Sequence, residues 1–249
     1  MEIREKYYLE IADNAFILSH RLSENCSKGP YLEEDLACTN VALDLIGLAE
    51  SIYNEIAKQP NSIATGDTLA YRRDESEYIN CLLTEQPNGD FAHLMVRQFM
   101  MDTYNYYLFS ELTNSKDKFL AAIGTKSLKE ITYHLRRSSE WMLRLGNGTE
   151  VSSQKAQTAI DDLWRFTDEL FTPSEVDLKL RNDGISADLD VVKVNWDQKV
   201  NEVFYLSNLR KPENEFQLKG GKSGRHSEYF GYILSDMQFL TNKYPDATW

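Results

Sequence analysis

The sequence predicts an all-α protein, and three observations carry that reading. Its 12 glycines and 6 prolines cluster between long periodic segments instead of interrupting them. Within those segments apolar residues recur at three and four positions, the spacing of one helix face. No stretch alternates with period two for long enough to anchor a sheet, and no repeat of roughly 20–50 residues is present.

The first helix spans 3–25, with Ile3, Tyr7, Ile11, Ala15, Phe16, Leu18 and Leu22 on its apolar positions. Cys26-Ser-Lys-Gly-Pro30 stops it. A second long run covers 31–58, carrying Leu36, Val41, Leu45, Leu48, Ile52 and Ile56, and breaks between Asn61 and Gly66. A shorter helix is expected from Asp67 to Glu85. Gln86-Pro-Asn-Gly89 reads as a turn, because proline presets φ while Asn-Gly tolerates positive φ. Helices then follow over 90–113, with Asp90 as N-cap, and over Lys116–Leu145, closed by Gly146-Asn-Gly148. A fifth long helix runs from Thr149 to Phe171 and ends at Thr172-Pro173. Beyond it the pattern weakens. Residues 174–190 read as irregular with one short helix, 191–209 as a helix, 211–225 as a loop, and His226–Tyr244 as the last helix.

At 249 residues the chain is long enough to bury a large core without a disulfide or metal staple. The periodicity implies one helical domain over 1–249, with a core bundle at about 31–146, flanking helices at 3–25 and 149–171, and a less regular part at 174–249. A net charge of −12 excludes a nucleic-acid binder, which needs cationic surface to displace counterions. No uninterrupted apolar run reaches the roughly 20 residues that cross a bilayer, and the polar, acidic N-terminus does not look like a signal peptide. Cys26, Cys38 and Cys81 show no C-x-x-C spacing and are expected as reduced thiols packed as small apolar groups. These features predict a soluble, cytoplasmic protein.

Acids on apolar helix faces raise the possibility of a di-iron carboxylate bundle. Such a bundle takes a Glu from each of two helices and Glu-x-x-His from each of the other two. Asp44 lies on a stripe with Ala37, Val41, Leu48 and Ile52; Asp102 with Met95, Phe99, Tyr106 and Phe109; Glu130 is flanked by Ile123, Tyr133, His134 and Trp141. Carboxylates facing apolar neighbours are costly unless paired or metal-bound. The ligand count argues against the metal. Among four histidines (His20, His93, His134 and His226) the single acid-x-x-His match is Asp90-Phe-Ala-His93, at the very start of its helix. Near Glu130 the third residue on is Tyr133, with His134 at the fourth, and Asp74-Glu-Ser-Glu77 offers two acids without a histidine. A charge network is the competing reading, with Glu130 paired to His134, Lys126, Arg136 or Arg137. His20 and His226 read as packing or capping groups. Gly220-Gly-Lys-Ser-Gly224 lacks Walker spacing and a preceding strand, and G-x-S-x-G is absent. Tyr104, Tyr106, Tyr107 and Phe109 nearly surround one helix, which predicts neighbours on several sides and a protein partner besides the core.

Several segments resemble a known family. Glu85-Gln-Pro-Asn-Gly-Asp-Phe-Ala92, Tyr133-His-Leu-Arg-Arg137 with Trp141, Leu145-Gly-Asn-Gly-Thr149, Leu163-Trp-Arg-Phe-Thr-Asp-Glu-Leu-Phe171, Gly220-Gly-Lys-Ser-Gly-Arg-His-Ser-Glu228 and Trp249 closely resemble the C subunits of bacterial phenylacetyl-CoA epoxidases. The resemblance spans nearly the whole chain. It implies a ferritin-like helical bundle with extra C-terminal helices, acting as a structural, non-catalytic partner. The homologous A subunit would carry the di-iron centre and insert oxygen into the aromatic ring. No cofactor is then expected in this chain, and Asp44, Asp74, Glu77, Asp102, Glu130 and His134 would be vestigial ligand positions. The alternative is a self-sufficient di-iron oxidase using Glu130, His134, Asp44 and Asp102. Expected partners are the A subunit and further subunits, with a homodimer when the chain is alone. Arg72-Arg73 and Arg136-Arg137 are the basic clusters that could hold polyanionic CoA.

Overall fold

A computed structural model describes residues 2–58, 64–213, 216–245 and 247. Asn61, at the expected second break, and Trp249 lie outside the described residues. Among the described residues the regular structure is all helical: α1 (Ile3–Ser23), α2 (Leu32–Ala57), α3 (Gly66–Tyr71), α4 (Phe91–Leu112), α5 (Lys118–Gly146), α6 (Glu150–Leu163), α7 (Glu175–Asn182), α8 (Leu189–Leu206) and α9 (Glu228–Lys243). Packing divides the chain into two compact units, 1–87 with 219–249, and 88–218. The border at 87/88 falls inside the stretch 31–146.

In the first unit α1 packs along α2, and α9 packs on α1 and α3. From Tyr7 to Ser19, α1 is buried on every side. Its apolar positions meet α2, with the Phe16 ring edge-on to Tyr53 at 5.7 Å. Its polar positions are covered by non-helical chain, as described below. The turn into α2 is closed by Asp35, whose carboxylate accepts from the backbone N–H of Ser27 (3.0 Å) and Gly29 (3.2 Å). Of the three thiols, Cys38 and Cys81 are buried as expected, while Cys26 is exposed.

The most apolar element is α2, long and apolar enough by composition to cross a membrane, although only 44% of that stretch is buried. It holds no uninterrupted apolar run of that length, because Asp44 and Glu50 divide the stretch without changing its average character. Gly47 sits in its interior with no atom within 4 Å of where a Cβ would project. A glycine there costs about 1 kcal/mol relative to alanine, and no close contact among the described residues requires it.

In the second unit α4 packs against α5, α6 and α8, and α5 against α6 and α8. The helix starts follow the expected chemistry. Asp90 accepts from the N–H groups of Ala92 (3.0 Å) and His93 (3.1 Å), and Asp117 does the same for Phe119 and Leu120. Gly146 lets α5 close on the end of α8, since a Cβ there would lie 2.1 Å from the Ser207 carbonyl oxygen. Tyr104 and Phe109 are buried and Tyr106 and Tyr107 half-buried, and α4 has neighbours on several sides in α5, α6 and α8.

Two expected helices end early. The helix placed at 67–85 stops at Tyr71 and gives way to a short 3₁₀ turn, Glu75–Glu77, and irregular chain. The helix placed at 149–171 is α-helical only to Leu163 and continues as 3₁₀ turns, Trp164–Phe166 and Asp168–Phe171. There Trp164 and Phe171 pack on Trp196 of α8. Ring packing against α8 sets the path of the chain there, which local periodicity does not report.

Candidate functional site

The first unit is organised around polar side chains of α1 that bind the backbone of residues 73–86. Asp13 is fully buried. It accepts from Tyr53 Oη (2.7 Å), Arg73 Nη1 (2.9 Å) and Nη2 (2.5 Å), and the backbone N–H of Ile79 (2.9 Å). Burial by itself would lower the Arg73 pKa, but Asp13 more than offsets it and holds the guanidinium above its ordinary value. Burial, reinforced by Asp13, pushes the Tyr53 hydroxyl up. Asn14 Oδ1 accepts from the Cys81 N–H (2.7 Å), and Arg21 donates to the Glu85 carbonyl (2.6 and 2.9 Å). These bonds stand where a helix would place its i to i−4 ladder, and they explain why 72–86 is not helical.

The glycine-rich loop completes this interior. His226 Nδ1 lies 2.8 Å from Glu85 Oε2 and its Nε2 2.9 Å from the Tyr78 carbonyl, while Glu85 Oε1 accepts from the Ser227 N–H (2.6 Å). Burial would lower the His226 pKa, but the Glu85 hydrogen bond and charge raise it above its ordinary value. Lys222 pairs with Glu10 at 2.6 Å, both side chains 9% exposed. A Cβ on Gly221 would fall 2.1 Å from the Asn80 carbonyl oxygen, and Gly224 adopts φ 73° against the Ser76 backbone. The loop at 211–225 therefore ends as a clamp seated on residues 76–85, with Lys222 spent on Glu10. A phosphate cradle is not what its side chains form. A cavity of about 220 Å³ in the same unit is lined by Phe16, Tyr53, Tyr71, Glu50 and Asp67 among others. Its acids repel an anionic ligand.

In the second unit Asp102 is 1% exposed and accepts from Gln98 Nε2 at 2.6 Å. Burial pushes its carboxyl up to about 6, against the opposing pull of His134, Ser138, Gln98 and Arg137. His134 therefore lies within electrostatic reach of Asp102. Glu130 is half-buried, and no hydrogen bond or ion pair engages it among the described residues, so the network expected at Glu130 is centred on Asp102 instead. Tyr133 is 52% exposed and Lys126 exposed. Glu130→Ala should accordingly change the unfolding free energy by no more than about 0.5 kcal/mol, as for ordinary surface positions. Urea titration checks this, and a loss above about 2 kcal/mol would return the network to Glu130.

The remaining sequence candidates scatter. Asp44 is half-buried at the margin of the buried face of α2. Asp74 and Glu77 are exposed and close a capping box on the 3₁₀ turn, with the Asp74 N–H donating to Glu77 Oε2 at 2.7 Å, so they are not on a helix. His93 bonds Asp90 and Asp162, each at 3.0 Å, at the surface end of α4. His93 is raised by these partners despite its burial, and the pairing lowers Asp90 to about 2. His20 packs edge-on against Phe16 and Tyr71, and burial lowers it to about 4. The arginine pairs are split, since Arg73 and Arg137 are buried while Arg72 and Arg136 are exposed, so neither pair forms a basic cluster for CoA. The residues present do not fit a di-iron pair. Among the described residues no three His, Cys, Asp or Glu side chains converge in a way that could hold a metal ion.

The residues that organise the interior, Asp13, Asn14, Arg73 and Glu85, are not marked by helix-face periodicity. One signal was present: Asp13-Asn14 interrupts the run Ile11-Ala-Asp-Asn-Ala-Phe16, where a polar pair in an apolar stretch demands buried partners.

Residues 3–249 match the family described as phenylacetic acid catabolic protein. The chain belongs to that family. The all-α, ferritin-like architecture is the one that fits it. Within the phenylacetic acid catabolic proteins, the chain is 43% identical over 243 residues to the C subunit of 1,2-phenylacetyl-CoA epoxidase from Escherichia coli (strain K12). The match covers 98% of each chain, so it includes the α1 network, the buried Asp102 and the glycine clamp alike.

Proposed function

We propose that this protein is the structural, non-catalytic subunit of a multicomponent di-iron oxygenase that epoxidises the ring of phenylacetyl-CoA in aerobic phenylacetate breakdown. It holds a homologous catalytic subunit that carries the metal, and it works in the cytoplasm. The observation that carries the proposal is the near full-length identity to a protein named as the C subunit of such an epoxidase. The side chains support the non-catalytic part. Among the expected ligand positions, Asp74 and Glu77 close a capping box, one Asp102 oxygen accepts from Gln98, and no three described His, Cys, Asp or Glu side chains are grouped to hold a metal ion.

Elemental analysis and size exclusion test this reading together. The purified chain is expected to carry no stoichiometric iron and, co-expressed with the catalytic subunit, to elute with it at micromolar concentration. About two irons per isolated chain, the complement of a carboxylate bundle, would instead make it a self-sufficient oxidase. Separate elution of the two proteins would defeat the structural role.

A further inference from the structure

On α2 one face is buried in the first unit through Val41, Leu45, Leu48 and Ile52. The opposite face carries Leu32, Leu36 and Leu43, which are 71%, 53% and 61% exposed. With Thr39 and Gly47 these residues recur at intervals of three and four, so they form one continuous seam along the helix. Scattered exposed leucines need no explanation, whereas leucines aligned over several turns do.

Gly47 adds a second and independent observation. It lies on that seam in the helix interior, and a Cβ there would meet nothing within 4 Å. Among the described residues no close approach requires a glycine there. A helix from another chain crossing the seam at Gly47 supplies the reason, because the absence of a side chain lets two backbones come together.

Charge selects the occupant. On or beside that seam α2 carries Glu33, Asp35, Asp44 and Glu50, and from Leu32 to Ala57 it contains not one Lys or Arg. Two copies of a chain with net charge −12 would place these acid-framed seams against each other. A different chain with an apolar stripe bordered by Lys or Arg satisfies both the seam and its frame. We propose that the α2 face formed by Leu32, Leu36, Leu43 and Gly47 is where an apolar, Lys/Arg-flanked helix of another oxygenase subunit docks. The identity of that partner rests on the structural role proposed above.

The test uses the full chain co-expressed with the catalytic subunit. If wild type fails to co-elute, the structural role falls; the docking face is judged once wild type binds. Leu43→Arg should leave the melting temperature of the isolated chain unchanged and weaken the complex by roughly 30-fold or more, as losing an interface hot spot does. Gly47→Leu should move the two readouts in opposite directions. It raises the melting temperature of the isolated chain by about 2–4 °C, because a better helix former replaces glycine in open space. It also weakens the complex by blocking close approach. Tyr205→Arg on α8, at a side chain 83% exposed, serves as control and should bind as wild type does. Wild-type binding by both α2 variants, within about twofold, would overturn the assignment. So would a homodimer of the isolated chain that Leu43→Arg abolishes while the heteromeric complex survives.

Discussion

Asp13→Ala is expected to lower the stability of the first unit by about 3–5 kcal/mol, the cost of removing one partner from a buried ion pair. Asp13 is the acceptor for four donors: the Tyr53 hydroxyl, two guanidinium nitrogens of Arg73 and the Ile79 N–H. The side chains of Asp13 and Arg73 are 0% and 8% exposed, so no water replaces the lost oxygens. The variant would hold an uncompensated guanidinium against Tyr53 and Tyr78, whose rings lie 5.7 and 4.0 Å from it. Such a loss is a large share of a typical domain stability of about 5–15 kcal/mol. Asp13→Asn keeps the shape and should cost nearly as much, because the charge is what Arg73 needs. Replacing both partners, Asp13→Leu with Arg73→Met, should recover most of the loss, since apolar pairs often substitute for buried ion pairs. Urea unfolding and limited proteolysis within 72–86 are the measurements. If Asp13→Ala melts within a degree of wild type and resists protease, the network does not hold that segment.

Asp102 should produce the second large effect, and its sign depends on pH. Its folded pKa is raised from 3.8 to about 6 by burial. A raised carboxyl favours the fold while it is protonated, so this contribution is fully present below about pH 4, where the unfolded chain is protonated too. It is lost as pH climbs through 6. Moving a carboxyl with 1% exposure from 3.8 to about 6 corresponds to about 3 kcal/mol. Asp102→Asn, whose side chain stays neutral, should therefore gain about 3 kcal/mol relative to wild type between about pH 4 and pH 7. His134 and Arg137 face this carboxyl, so the variant is best compared with wild type at each pH instead of across pH. A difference between the two proteins that stays constant over that range would show that Asp102 does not titrate in it.

Both effects concern buried polar groups, which also mark where sequence reasoning stopped. The starts of α4 and α8 and the end of α5 were legible to within two residues. Asp90 and the Gly146 region are local signals, and a helix cap is settled by residues three or four apart. The all-α class was legible for the same reason, since period and punctuation are properties of short windows. Family resemblance was legible in the long segments around Glu85, Tyr133, Leu163 and Gly220.

The candidate site was legible only in part. Asp102 was found as an acid on an apolar face, but its neighbours were not. His134 is four residues from Glu130 in sequence, yet it lies within electrostatic reach of Asp102, because α4 and α5 pack face to face and bring their inner sides together. Arg72-Arg73 and Arg136-Arg137 read as basic pairs until packing buried one member of each. Residues 72–86 carry helix-compatible spacing, and tertiary structure overruled it. Their backbone groups are bonded by Asp13, Asn14 and Arg21, more than 60 positions away along the chain. A sequence by itself determines which face of a helix wants to leave water, because that depends on period. Which distant polar group will satisfy a buried donor is decided only when two elements meet, since hydrogen bonds and ion pairs act over a few ångströms of space and carry no trace of separation along the chain.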